Sequence, residues 1–272
     1  MRILLPTSVG DGRLDSILLA FHSLRSPDRS NPLELDWQRV RHVMPAGHAI
    51  LAALTDSIIA TAAKIRVMHL SSALGRLPYF KLMKTSPRSR ILPPVSVYSI
   101  HTNTQIASAH DSGIDLIFTQ NIEDAFSKLL GEDLSYDVRT VVNELMQNTV
   151  DHSGAERYYL YAGIWENDFH VGVLDMGFTI PARLERKYRI ANDVESLELA
   201  LRKGIGTRQT REGGLGLSYV RDIVKRNEGR LTILSRQAQF RKYFSTRRSQ
   251  RSLLKRPVDG TWVFVRFPMR RV

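Results

Sequence analysis

Two hydrophobic periods alternate along the chain. Residues 46–63 place Leu51, Leu54, Ile58 and Ala62 at helical spacing, whereas 64–70 alternate Ile65 and Val67 with Lys64 and Arg66, the period of a strand. With "LELDW" at 33–37 as another short strand, the first third reads as a βαβ-like unit in which helices cover a sheet. Residues 84–96 carry three prolines among small polar residues and predict a loop or domain edge. From Ile114 an apolar strand-like run precedes a helix, and a second helix is expected from about Ser135 to His152. Strands at 157–165 and 169–175 flank Glu166-Asn167-Asp168, a hairpin turn. A helix over 193–203 follows, and a glycine-rich loop then opens a helix within 213–229 that ends at Gly229. "RLTILS" and "GTWVFVRFP" complete the strands, with a basic stretch, 236–256, between them.

Length and composition narrow this picture. A chain of 272 residues with 43% hydrophobic and 24% charged residues folds around a proper core, and its length suits two domains. The expected division is a small α/β domain over 1–110 and a larger α+β domain over 111–272. The absence of cysteine removes disulfides, thiolate metal sites and a cysteine nucleophile, and fits a reducing compartment. The start is too short in apolar residues for a signal peptide, and the most apolar segment, 49–63, is interrupted by polar residues and too short to span a membrane. A cytoplasmic protein is therefore expected. The net charge of +12 is concentrated: residues 234–272 hold eleven Lys or Arg against one acid, Asp259, a net +10. The rest of the chain is close to neutral.

Candidate chemistry begins on the helix that ends at His152. On a 3.6-residue wheel Val138, Val141, Val142, Leu145 and Thr149 form an apolar stripe, with Glu144, Asn148 and Asp151 together at its margin. A neutral amide oxygen at Asn148 suits Mg²⁺ beside phosphates, because it coordinates the cation without repelling the anion. Glu144, one turn earlier, can take a proton from a water attacking a γ-phosphate. An ordinary solvated helix face accounts for these residues equally well when the helix is taken alone. A second element is "VLDMG": Asp175 ends an apolar strand, where a carboxylate is costly without a partner, and an adenine amino group is a suitable donor. Gly177 lets backbone come close to a base. A third is "GGLGL", Gly213 to Leu217, where glycines at a helix start expose N–H groups to phosphate.

In this order the motifs resemble the ATPase family of DNA gyrase, the heat-shock chaperone, histidine kinases and the mismatch-repair protein MutL, known as GHKL. Glu144, Asn148, Asp151 and His152 match its N box, Asp175 and Gly177 its first glycine box, and Gly214 to Leu217 its second; Gly260-Thr261 is similar to its late Gly-Thr. The likeness covers residues 135–268. It implies a Bergerat-type α/β sandwich, a mixed and largely antiparallel sheet with helices on one face, and a lid over about 178–212. It also implies ATP and Mg²⁺ as cofactors, with Asn148 on the metal and Glu144 handling the water or acceptor hydroxyl. Asp151, Asp175, Gly177, Ile180, Gly213, Gly214, Leu215, Gly216, Leu217 and Thr261 then surround the nucleotide, with Lys203, Arg208 and Arg211 as candidate lid cations on the phosphates, a solvated basic face accounting for any one of them equally well. Two positions depart from the pattern: Thr179 replaces the second glycine of the first box and Glu212 stands where the second box often begins with glycine.

The histidines do not supply a phosphoacceptor on a dimerisation hairpin, since His69 falls in a strand-like run, His152 in the N box, and His42 and His48 beside a Pro-Ala-Gly turn. A sensor histidine kinase is disfavoured. Residues 30–85 faintly resemble the STAS domains of anti-sigma antagonists, partners of serine kinases in this ATPase family. The expected function is a Mg²⁺-dependent ATPase or Ser/Thr protein kinase with a regulatory protein partner, the alternative being an ATP-gated switch with little hydrolysis. Homodimerisation stays open. The basic stretch, expected as a loop between two strands, offers only Phe240, Tyr243 and Phe244 for stacking, which disfavours nucleic acid against a solvated insertion or a docking site for an acidic protein.

Overall fold

The computed structural model describes residues 2–22, 33–59, 65–69, 91–99, 102–109, 114–155, 158–205 and 216–269. The N-terminal part contains β1 (Arg2–Leu4), β2 (Ser8–Val9), a 3₁₀ turn (Asp11–Arg13), α1 (Leu14–His22), β3 (Leu33–Asp36), β4 (His42–Val43), α2 (Pro45–Ile59) and β5 (Ile65–Met68). Its strands pair in parallel, β1-β3-β5 in one sheet and β2-β4 in another, as strands separated by helices do. Among the described residues no helix is long and apolar enough to cross a membrane.

The largest sheet described has six strands: β6 (Ile91–Ser99), β7 (Thr102–Ala109), β8 (Tyr158–Trp165), β9 (Asp168–Asp175), β10 (Arg230–Tyr243) and β11 (Ser249–Pro268). Their order is β10-β11-β9-β8-β7-β6, and every described pairing is antiparallel. The α+β class and the α/β sandwich expected from the sequence are both present. Among the described residues four helices complete the part: α3 (Ile114–His152), α4 (Ile180–Leu184), α5 (Asp193–Ala200) and α6 (Gly216–Arg226).

Three expectations are corrected. Residues 91–96 are strand, not loop: β6 is the sheet's edge, where a Pro93-Pro94 pair deletes no ladder bond from a central strand, and its register shifts between Leu92 and Val95. Residues 114–120 begin a helix, not a strand, because Phe118, Ile122, Phe126 and Leu130 continue the run at helical spacing. This helix breaks at Gly131, whose φ of 71° takes it out of helical geometry before the N-box segment resumes. The basic stretch, finally, is not a loop between strands. β10 and β11 run on through it as one hairpin, closed over residues 244–248.

Alternation along the strands sends side chains to two cores. Leu160, Val171, Val173, Ile233, Val263 and Val265 face α3, α5 and α6, packing with Val138, Val142, Leu145, Leu197 and Val220. Tyr159, Tyr161, Leu174, Leu234, Trp262 and Phe264 point the opposite way and pack with Leu14, Ile17, Leu18, Ile50 and Leu51 of α1 and α2. The helices α3, α5 and α6 thus lie on one face of the sheet, as expected, and α1 and α2 of the N-terminal part cover the other. An ion cluster pins it: buried Asp11 pairs with Arg230 (2.7 Å) and with Arg266, while Arg241 donates to the Asp11 carbonyl. Burial raises the Asp11 pKa, but Arg266 and Arg230 outweigh it and hold the carboxyl below its ordinary value.

Candidate nucleotide site

Between α3, the end of β9, α4 and the start of α6 lies a cleft of about 820 Å³, its open mouth included. The floor is apolar, with Val173, Val263, Leu145 and Ile180, and its polar groups stand at two ends.

Asp175 marks one end. It is only 4% exposed. Its Oδ1 accepts hydrogen bonds from the backbone N–H of Gly177 (3.0 Å) and of Thr261 (3.2 Å), and its second oxygen has no protein partner among the described residues. Burial drives the carboxyl pKa up to about 7, with the two backbone bonds acting against that shift. Glycine is required twice around it. Gly260 sits at φ 72° and a Cβ there would strike the Asp175 carbonyl; Gly177 packs so closely on the Ser153 carbonyl that a Cβ has no room. The close approach at Gly177 is thus to the end of α3, and Phe178 N–H donates to the same Ser153 oxygen at 2.6 Å. Ser235 ties three segments together: its hydroxyl accepts from Ile180 N–H (2.8 Å), donates to the Gly260 carbonyl (2.8 Å) and lies 3.1 Å from the Thr261 hydroxyl.

Asn148 and Gly216 mark the other end. Gly216 opens α6, and a Cβ on it would lie 2.5 Å from Asn148 Nδ2 and 2.7 Å from Oδ1. The bare glycine lets the helix start meet the Asn148 amide, whose Nδ2 is buried without a partner among the described residues. An unpaired buried amide beside a helix N-terminus is a costly arrangement unless a ligand completes it. Among the described residues no three His, Asp or Glu form a metal cluster, so a divalent cation here would rely on phosphate oxygens and water beyond Asn148. The donors present fit an anion-bound magnesium ion.

Residues 134–271 match a family described as histidine kinase-, DNA gyrase B- and HSP90-like ATPases. The match spans just over half the chain. The chain belongs to this ATPase family. Curated proteins yielded no match.

Membership in an ATP-binding ATPase family agrees with the convergence of Asn148, Asp175, Ile180, Gly216, Leu217 and Thr261, all on or beside one cleft. Other predicted residues are placed elsewhere. Glu144 is half-buried one turn before Asn148 and does not line the cleft; Asp151 is exposed and accepts from Gln147 Nε2 at 2.8 Å; Lys203 is exposed away from the wall. Arg208, Arg211, Glu212, Gly213, Gly214 and Leu215 lie outside the described residues. The departure at Thr179 has a local cause. Thr179 is extended, at φ −78°, and its hydroxyl caps α4 by accepting from Ala182 N–H, so a glycine there would forfeit the cap.

Sequence reasoning missed the mouth of the cleft. Arg183 lies over the Phe178 ring at 4.3 Å and its Nε donates to the His152 carbonyl at 2.9 Å. The signal was available: a capping Thr179 followed by Pro181 starts a helix and puts Arg183 on its first turns. Burial, then Arg183, keep the His152 pKa below its ordinary value, leaving Arg183 the cationic group on the described cleft wall near neutral pH. Ser235 was legible only as the last residue of a strand, since its role depends on segments far away in sequence.

Proposed function

We propose that the protein binds ATP with Mg²⁺ in this cleft and uses it as an ATPase or a Ser/Thr protein kinase acting on a regulatory partner. The observation that carries the reading is Asp175, a carboxylate buried at real cost whose one oxygen is fixed by backbone and whose other is left for the adenine amino group. Asn148 and the start of α6 then take the phosphates and the cation, with Arg183 and Phe178 closing the adenine end. Bound magnesium would neutralise phosphate charge and polarise the γ-phosphoryl group. Glu144 would accept the proton as a water or a serine hydroxyl attacks γ-phosphorus and the bond to ADP breaks.

The test is a titration of ATP with and without Mg²⁺, followed by product analysis with labelled ATP. Asn148→Ala should abolish the metal-dependent part of binding, and Glu144→Ala should stop turnover with nucleotide affinity nearly intact. Metal-dependent binding that survives Asn148→Ala would overturn the site. A second reading, an ATP-gated switch with little hydrolysis, is favoured by Glu144 standing off the cleft wall. It expects a non-hydrolysable analogue to reproduce every effect of ATP on a protein interface.

A further inference from the structure

The nucleotide cleft uses none of the basic stretch, and the fold divides that stretch into two groups. Arg236 pairs with Asp193 and Glu185 and Arg251 with Glu198; Arg241 bonds Thr232 and the Asp11 carbonyl, and Lys242 bonds Ser249 and the Arg247 carbonyl. These cations are structural. Arg247, Arg248, Lys255 and Arg256 are exposed, and among the described residues their side chains make no ion pair or hydrogen bond.

Their backbone is also special. From Trp262 onward β11 is hydrogen-bonded on both sides, to β10 and β9, but from Ser249 to Thr261 it pairs only with β10 among the described strands. Arg236 pairs with Val258 while Ala238 pairs with Leu253, so residues 254–257 bulge from the ladder. Leu254 packs into the core of α1, and Lys255 N–H donates to Asp15 at 3.2 Å, which leaves Lys255 and Arg256 displayed outward. Beside them Leu253 is 63% exposed, the most exposed of the described large hydrophobics. The patch thus combines an open strand edge, four unpaired cations and one apolar side chain.

This combination discriminates between polyanions. A two-stranded ribbon can enter a DNA major groove, but this one is clamped, with Leu254 and Val258 on the α1 side and Ala238 and Phe240 on the α5 side. Single strands are held by stacking on aromatic faces, yet Phe240 is buried, Phe244 packs on the core and Tyr243 sits under Arg230 at 5.6 Å. A polypeptide needs neither. Its backbone can add to the free edge while its acids meet the cations and an apolar side chain covers Leu253.

We propose that the end of the β10–β11 hairpin is a docking surface for an acidic polypeptide segment carrying an apolar side chain, laid along the open edge of β11. The surface is separate from the cleft and acts whether or not ATP is turned over.

The test uses the full chain and a fluorescent peptide of alternating Glu and Leu, about ten residues long, enough to span the edge at ~3.3 Å per residue. Short duplex DNA and phosphatidylserine vesicles serve as rival probes. The peptide should bind at low salt and be released near 1 M salt, where screening acts over only about 3 Å. The combined Arg247→Glu, Arg248→Glu, Lys255→Glu and Arg256→Glu variant should bind it roughly tenfold more weakly or worse while keeping its ATP affinity. Leu253→Ser should weaken it with all charges retained. No binding at low salt, binding unchanged in the charge variant, or tighter binding of DNA or vesicles than of peptide would each overturn the proposal.

Discussion

Replacing Asp175 with Asn should make the nucleotide-free protein more stable while destroying its affinity for adenine. Asn keeps an oxygen to accept the Gly177 and Thr261 N–H groups but carries no charge. In the folded wild type the carboxyl titrates at about 7 against an ordinary 3.8, because burial disfavours the anion. At about 1.36 kcal/mol per pKa unit the buried anion costs about 4 kcal/mol once fully ionised. The sign follows from linkage: the unfolded chain releases its proton first, so Asp175 is harmless below about pH 4, and stability is lost progressively as pH rises towards 7. About 2.5 kcal/mol of that cost falls between pH 5 and pH 8. Urea unfolding of both proteins across this range should therefore show a widening gap, with Asp175→Asn the more stable at pH 8. ATP binding moves the other way, since the Asn amide N–H groups would face the adenine amino group donor to donor. Parallel stability profiles, or an Asp175→Asn protein less stable than wild type at pH 8, would refute the reasoning.

Gly216→Ala should separate binding from folding. The Cβ meets the far end of the Asn148 side chain, which can rotate aside, so stability should fall by less than about 1 kcal/mol; calorimetry should nevertheless show Mg²⁺-dependent ATP affinity at least roughly tenfold lower. Asp11→Asn should cost about 3–5 kcal/mol in chemical denaturation, because Arg230 and Arg266 are left largely buried without their anion. The Asp11 pKa is lowered in the fold, so its contribution is present above the unfolded value of 3.8 and lost as pH falls through and below it; the variant's acid limb should be correspondingly flatter.

Local chemistry made the nucleotide-binding half readable. The N box, Asp175-Gly177 and Gly260-Thr261 depend on spacing within a helix or at a strand end; Asn148, Asp175 and Thr261 do meet on one cleft, Glu144 and Asp151 do not line it, and the expected α+β sandwich is present. What failed depends on longer range. Pro93-Pro94 signals a loop until β6 is known to be an edge strand, and Ile114–Phe118 signals a strand until its spacing is followed to Leu130. Glu144 shares a helix margin with Asn148 on a wheel, yet a helix wheel does not say how far the cleft reaches along it. Trp262 and Tyr161 looked like ordinary alternating strand residues. Nothing local announced that α1 and α2 would cover them.

That covering sets where the protein can be cut. Adjacent residues of β9 and β11 serve opposite masters: Val173, Asp175, Thr261 and Val263 line the cleft, while Leu174, Trp262 and Phe264 meet the N-terminal helices. Excising the ATPase part at its family boundary near residue 134 would strip those helices, and β6 and β7 as well, leaving a broad aromatic surface bare to water. Such a fragment should clump more readily than the intact chain.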